Sequence, residues 1–195
     1  ISASPLNATI CVGSENTFSV TASGTGITYQ WQISTTAVPA FTDIPTANAA
    51  TYVVSAATAG MNGNQYRCVV TGTCSASTAT STAATLTTIS PVVVSTQPIN
   101  AEICSGSNTS FIVAGTSSQT ISYQWQVSTA AVPAFTNIAG ATSATLSLNS
   151  VTTGLNGNQY RCLLSNTTCT SPVNSNTASL TLRQLPAVGL SAAPF

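Results

Sequence analysis

The sequence predicts an all-β protein built from two similar β-sandwich domains in tandem. Three observations carry that expectation. First, the 195-residue chain repeats itself. Residues 27–44 read ITYQWQISTTAVPAFTDI and residues 121–138 read ISYQWQVSTAAVPAFTNI, while GNQYRC stands at 63–68 and at 157–162, each pair 94 residues apart. Such a period is far longer than a solenoid repeat and suits a small autonomous domain. Second, apolar residues alternate in short runs bounded by Gly, Ser, Asn and Thr, without helical periodicity. Third, each unit sets a Trp on a strand-like run and a Tyr-x-Cys 35 residues later, Trp31 with Tyr66 and Trp125 with Tyr160. That is the skeleton of an immunoglobulin-like sandwich.

The elements follow in the same order in both repeats. Each opens with a Pro-led segment ending in Ile-Cys, residues 5–11 and 98–104. An alternating strand follows at 17–22 and 110–114, then a small polar turn, then the Trp strand at 29–33 and 123–127. Residues 50–54 and 144–148 form the next alternation, 65–70 and 159–164 the Tyr-x-Cys strands, and 84–88 and 178–182 the closing strands. About seven strands in two sheets are expected per repeat. The boundaries read as 1–90 and 91–185, joined by a short β-rich linker at about 90–95 in which Pro91 limits freedom. A semi-rigid, extended array is therefore expected. Residues 186–195 echo the first linker and read as the approach to a third repeat. The absence of an initiator Met or signal peptide is what a mature or excised segment would show.

Composition excludes several functions. There are three arginines and three acids, no lysine and no histidine, so 3% of residues are charged, against about 25% in ordinary soluble domains. No basic patch is available for nucleic acid, and no apolar run reaches the ~18 residues of a membrane span. Weak charge repulsion favours association with other copies of the chain. General acid–base catalysis would ordinarily call on His. Glu15, Asp43 and Glu102 are isolated in sequence, and the many Ser and Thr have no base beside them. Cysteine spacing lacks the CxxC of zinc sites, and carboxylates are too few for calcium. No catalytic residue, cofactor or metal is expected.

The prominent residues read as structural. Trp31 and Trp125 could stack on sugar, but this position is a core position. Tyr66 and Tyr160 fit the tyrosine corner, and Cys68 and Cys162 point inward beside them. Arg67 and Arg161 alternate with those cysteines and so point outward. Asn7, Asn108 and Asn166 lie in N-x-S/T triplets that Asn- and Thr-rich sequence makes by chance. The A-V-P-A-F loop is the candidate contact surface, with Val38, Pro39 and Phe41 in one repeat and Val132, Pro133 and Phe135 in the other. It either tucks its Phe into the core or offers a sticky patch to a neighbour.

Taken together, the Ile-Cys-x-Gly, YQWQ-x-S and NGNQYRC blocks and the closing Ala-x-Leu strands resemble the immunoglobulin-like repeats of large secreted proteins from Bacteroidetes-type bacteria. The likeness covers both repeats, to about residue 183. It implies an extracellular or bacterial cell-surface location and a structural or adhesive role as stalk or filament component. Its partners would be neighbouring repeats and other copies of itself. A glycan- or protein-binding module and a spacer in a secreted enzyme are the alternatives.

The six cysteines are Cys11, Cys68, Cys74, Cys104, Cys162 and Cys169. Cys68 and Cys162 lack their usual strand-B partner, because Val20 and Val113 stand near that position, and they are expected to remain thiols. The resemblance implies Cys11 with Cys74 and Cys104 with Cys169, a pairing placed first because it needs no assumption about domain packing. Sandwich topology opposes it, since the two turns lie at opposite ends, roughly 20 Å apart, and a disulfide needs Cα atoms within ~7 Å. A head-to-tail array would instead allow Cys11 to bridge Cys169.

Overall fold

The computed structural model describes residues 1–73 and 78–183. Two compact units emerge. The first holds residues 1–91 together with 117–119 and 167–170, and the second holds the other described residues from Val92 onward.

The first unit contains β1 (Ala8–Cys11), β2 (Asn16–Ser19), β3 (Thr28–Ser34), β4 (Thr42–Asp43), β5 (Thr51–Val54), β6 (Gln65–Thr71), β7 (Thr78–Thr80) and β8 (Ala84–Ile89). One sheet runs β1-β8-β6-β3-β4 with β7 on β6, and the facing sheet is β2-β5. The Trp and Tyr-x-Cys strands lie antiparallel, with Trp31 opposite Cys68 and Ile33 opposite Tyr66. Period-two alternation turns Tyr66, Cys68 and Val70 inward and Arg67 outward. Between the sheets pack Phe18, Val20, Trp31, Tyr66, Cys68 and Leu86. Phe18 stacks on Tyr66 at 4.8 Å between ring centroids, and Tyr52 stacks on Tyr66 at 5.6 Å.

The second unit contains β9 (Val93–Thr96), β10 (Ala101–Cys104), β11 (Thr109–Ile112), β12 (Ala114–Thr116), β13 (Ser122–Ser128), β14 (Thr136–Asn137), β15 (Thr145–Leu148), β16 (Gln159–Ser165), β17 (Val173–Asn174) and β18 (Ala178–Arg183). Its main sheet is β10-β18-β16-β13-β14 with β17 on β16, and β11-β15 faces it. The core repeats with Phe111, Val113, Trp125, Tyr160, Cys162 and Leu180. Leu146 stands where Tyr52 stands in the first unit. Among the described residues there is no α-helix; the two short helices, Ala59–Met61 and Thr153–Leu155, are single 3-10 turns. Among the described residues no helix is long and apolar enough to cross a membrane.

The linker reading needs correction. Val93–Thr96 is an edge strand that pairs antiparallel with β12, and Val92 is buried in the second core. The pairing shifts register between Ala114 and Gly115. A Cβ on Gly115 would lie 2.8 Å from the Leu164 side chain and 3.2 Å from the Val93 carbonyl, so a larger residue there would force the buried Leu164 to shift. The expected third-repeat segment, 186–195, lies outside the described residues.

The NGN blocks acquire a purpose in the fold. Asn62 accepts the Thr88 amide at 3.0 Å, the Gly63 amide donates to Leu86 at 2.8 Å, and Leu86 donates back to Asn64 at 2.8 Å. Asn156, Gly157 and Asn158 do the same against β18. Gly63 and Gly157 sit at φ +84° and +80°, which a side chain would strain. Asn7 and Asn108, read as chance triplets, each accept a backbone amide, from Thr85 and Ser150, at 2.8 Å.

Candidate contact surface and the cysteines

The YQWQ block builds one hydrogen-bonded frame in each repeat. Gln30 donates through Nε2 to the carbonyls of Trp31 and Ile44 at 2.8 and 2.9 Å, and Trp31 donates its indole N–H to Ala49 at 2.9 Å. Gln124 and Trp125 repeat these bonds to Trp125, Ile138 and Ser143. Both indoles are fully buried, so no face of either ring is open to a sugar.

On the outer face, the next residue of each block begins a polar relay. Arg67 donates through Nε to Gln32 at 2.8 Å, and Gln32 donates onward to the Asp43 carboxylate at 2.8 Å. Arg161, Gln126 and Asn137 repeat the relay at the same distances. The neutral Asn137 keeps the relay's geometry because its amide also offers an acceptor oxygen, at 2.8 Å. Each guanidinium also covers a Phe ring, Arg67 over Phe41 at 3.9 Å and Arg161 over Phe135 at 4.1 Å.

This arrangement corrects the core reading of the A-V-P-A-F loop, because neither Phe41 nor Phe135 belongs to the buried core. Each ring lies partly exposed on the outer face with an arginine over it. The loop itself is tied down, since Ser34 donates to the Pro39 carbonyl at 2.9 Å, and Thr35 and Val38 exchange two bonds at 3.0 Å. Ser128, Thr129, Val132 and Pro133 are held identically. What remains open is one valine per loop, Val38 and Val132, about half exposed, with the prolines beside them. Arg67→Ala and Arg161→Ala should each cost about 1–2 kcal/mol, from one cation–π contact and one hydrogen bond. Chemical denaturation of each variant measures this, and a Lys replacement should recover only part, because it cannot keep the planar fork.

Two buried hydroxyls were not legible as special. Ser81 accepts the Cys68 amide at 2.9 Å and donates to the Thr82 carbonyl, and Ser175 does the same for Cys162 and Asn176. They complete the ladder where the last strand breaks between β7 and β8, or between β17 and β18. Their signal was the spacing of 13 residues from the Tyr-x-Cys cysteine, present in both repeats. Glu102, isolated in sequence, pairs with Arg183 at 2.6 Å across the parallel β10–β18 strands, on the exposed surface.

The cysteines are arranged differently from the pairing placed first. Cys11 is bonded to Cys169, 158 residues away in sequence, and so pairs with neither Cys74 nor any other cysteine of its own repeat. Cys104 is an exposed free thiol and does not pair with Cys169. The physical reason is proximity. Residues 167–170 belong to the first compact unit, where Cys11 and Cys169 have Cα atoms 5.1 Å apart. Cys74 lies outside the described residues.

Cys68 and Cys162 are buried free thiols. Burial pushes the Cys68 thiol up, and pushes Cys162 up to about 11. Burial likewise raises the phenols of Tyr66 and Tyr160, against the opposing effect of the Asn64 and Asn158 side chains. Native alkylation at pH 8 should therefore modify the exposed Cys104 at least about a hundredfold faster than Cys162, and should also reach it before the buried Cys68. Stability should follow the same groups. As pH rises, the unfolded chain sheds these protons first, so stability is full below the ordinary thiol value of about 8.5 and declines toward pH 11. Arg183 holds the Glu102 carboxyl below its ordinary range through a hydrogen bond and its charge, so that contribution is lost only as pH falls through the lowered value. With no histidine, the urea midpoint should be flat from about pH 5 to 8.

A family model described as Domain of unknown function (DUF8696) matches residues 2–90 and again residues 93–184. The chain belongs to this family. It thus carries two DUF8696 domains in succession. No curated protein matches the chain. In structure it is similar to the titin fragment I67-I69, an E-to-A variant of three immunoglobulin domains, with a TM-score of 0.68 and 17% identity. That match covers 93% of this chain and 64% of the titin fragment, so the chain spans under two thirds of it. It is also similar to the three N-terminal domains of the Highly Immunogenic Outer Capsid protein of bacteriophage RB49, with a TM-score of 0.68, 16% identity and coverage of 92% and 68%. Sidekick-1 immunoglobulin domains 1-4 match with a TM-score of 0.63, 17% identity and coverage of 94% and 48%. At such identities the likeness is one of fold, and the fold of this chain is a tandem of immunoglobulin-like domains.

Proposed function

We propose that this chain is a non-catalytic, force-transmitting repeat segment of an extracellular or bacterial cell-surface protein, serving as part of a stalk or filament. One observation carries the reading. In each repeat an early strand pairs parallel to the last: β1 on β8, from Ala8 opposite Leu86 to Cys11 opposite Ile89, and β10 on β18, from Ala101 opposite Leu180 to Cys104 opposite Arg183. Tension enters a repeat before its early strand and leaves after its last one. In a parallel pair these two pulls oppose each other along the strands. All ladder hydrogen bonds are then loaded together in shear, and none is peeled singly.

The rest of the chemistry agrees with this role. Arg67, Arg161 and Arg183 are occupied by partners in their own repeats. The Cys11–Cys169 disulfide suits an oxidising compartment, where it would carry tension past residues 12–168 and leave the parallel pairs to take the load once it is reduced. The exposed valines of the two tied loops, Val38 and Val132, with Pro39 and Pro133, are the places where such a segment would touch neighbouring copies.

The test is single-molecule extension of the reduced chain by its termini. Val12→Pro deletes the amide that donates to Ile89 at 2.9 Å. It should lower the unfolding force of one of the two repeats and leave the other unchanged. Equal forces in the variant and the parent would reject the shear role.

A further inference from the structure

Asn is followed by Gly at only two places in the chain, Asn62-Gly63 and Asn156-Gly157, at matching positions of the two repeats. This dipeptide carries its own chemistry. The backbone nitrogen of the Gly can attack the side-chain amide carbon of the Asn, and Gly hinders that attack least because it has no side chain. Both asparagines are exposed, so burial does not shield them from water. What restrains them is hydrogen bonding to the closing strand. The Gly63 amide donates to the Leu86 carbonyl at 2.8 Å, and Gly157 to Leu180 at 2.9 Å. Each nucleophilic nitrogen is thus held with its proton on and aimed at a carbonyl oxygen. The same strand holds the side chain that would be attacked: Asn62 Oδ1 accepts the Thr88 amide at 3.0 Å, and Asn156 Oδ1 accepts the Leu182 amide at 2.8 Å. Ring closure needs the Gly nitrogen on the same side of the Cα–C bond as the Asn Cβ. Asn62 and Asn156 sit at ψ 126° and 131°, which turns that nitrogen well away. The return bonds from Leu86 to Asn64 and from Leu180 to Asn158, at 2.8 and 2.9 Å, keep the turn from rotating.

We propose that Asn62 and Asn156 are self-modification sites, stable while β8 or β18 is seated and reactive once that strand detaches, so that a repeat left open long enough cannot re-form. In the released segment the Gly63 nitrogen gives up its proton and bonds to Cγ of Asn62. The Cγ–Nδ2 bond breaks, ammonia leaves, and a succinimide ring remains. Water then opens the ring at one of its two carbonyl carbons. Cleavage between the Gly nitrogen and Cγ gives aspartate. Cleavage between that nitrogen and the main-chain carbonyl carbon gives isoaspartate, whose link to Gly63 runs through Cβ and Cγ. One water is consumed and one ammonia released, and nothing is oxidised or reduced. The two products differ in what the fold can do with them. Aspartate keeps an acceptor oxygen where Thr88 donates. Isoaspartate inserts one more atom into the main chain between residues 62 and 63, so Gly63 and Asn64 can no longer both meet Leu86. Asn156 reacts in the same way, with Gly157 and Asn158 losing Leu180.

This goes beyond the stalk reading and does not depend on it, because detachment by urea serves as well as detachment by force. The purified chain is held at pH 8 in two portions, one native and one unfolded in urea with dithiothreitol, and sampled by peptide mapping with isoaspartyl methyltransferase labelling. The unfolded portion should convert at Asn62 and Asn156 ahead of every other asparagine. A small domain stable by about 5 kcal/mol or more releases its closing strand in fewer than about one molecule in a thousand, so the native portion should react at least about a hundredfold more slowly at both sites. When urea is removed, chains bearing isoaspartate should stay in the unfolded fraction. Asn62→Asp, which carries the new charge without the added atom, should refold as the parent does. Equal rates in the two portions, no preference for these two sites in urea, isoaspartate chains that refold fully, or an N62D chain that does not refold would each overturn the proposal.

Discussion

Trp31→Ala is expected to unfold the first repeat under conditions in which the second stays folded, and Trp125→Ala to do the reverse. Both indoles are wholly buried, and each donates one hydrogen bond to a backbone carbonyl, Ala49 or Ser143, at 2.9 Å. Deleting a buried Trp costs about 3–5 kcal/mol through lost transfer energy and the cavity left behind. The stranded carbonyl adds about 1–3 kcal/mol if no water reaches it. A small domain is stable by only about 5–15 kcal/mol, so either substitution removes a large share. The first repeat has more to hold it, because Trp31 is flanked by Phe18 at 6.5 Å and Tyr52 at 6.1 Å, where the second has Phe111 at 6.4 Å and Leu146 in place of Tyr52. Urea unfolding followed by the remaining Trp reads the unaltered repeat, and circular dichroism over the same titration reads the loss of the altered one. A variant with parental stability would mean that the indole is not what the core is built around.

Reduction of one bond should change the extensible length of the chain about fivefold. With Cys11 joined to Cys169, residues 12–168 form a closed loop that tension applied at the termini bypasses. Only residues 1–11 and 169–195 can then be drawn out, roughly 130 Å at ~3.5 Å per residue. Once the disulfide is reduced, all 195 residues lie on the load path, roughly 680 Å on the same scale. The effect on mechanism is equally large. In the oxidised chain β1 is loaded but the force leaves it through Cys11, so the shear between β1 and β8 never develops fully. In the reduced chain it does. Extension curves with and without dithiothreitol decide the matter, and a Cys11→Ser variant should behave as the reduced protein does in both. Equal contour lengths in the two conditions would show that the bond does not form in solution.

Much of the fold was open to sequence reasoning because its signals are local. Alternation of apolar residues marks a strand wherever it occurs, and the 35-residue spacing from Trp to Tyr measures the path from one strand of a sheet to its neighbour. The same locality explains what misled. Residues 90–95 read as a β-rich linker because Pro91 and three valines carry no sign of a partner; only pairing with β12, reached about 20 residues later, makes Val93–Thr96 a strand of the second unit. Phe41 and Arg67 are 26 residues apart, and nothing in either segment announces that one will lie over the other. They meet because β4 is laid beside β3 and β3 beside β6, which brings Asp43, Gln32 and Arg67 into one row on the outer face.

By itself, then, the sequence determined the repeat, the all-β class, the two-layer sandwich and the scarcity of charge that leaves little material for catalysis. Periodicity and composition act over a few residues and survive any arrangement of the whole. The partner of Cys11 was decided by tertiary structure alone. A disulfide joins whichever thiols the fold brings within about 7 Å between Cα atoms, and here the fold set Cys169 beside Cys11 at 5.1 Å across 158 residues of chain. That same bond separates two positions that the sequence makes equivalent, leaving Cys11 closed and Cys104 open.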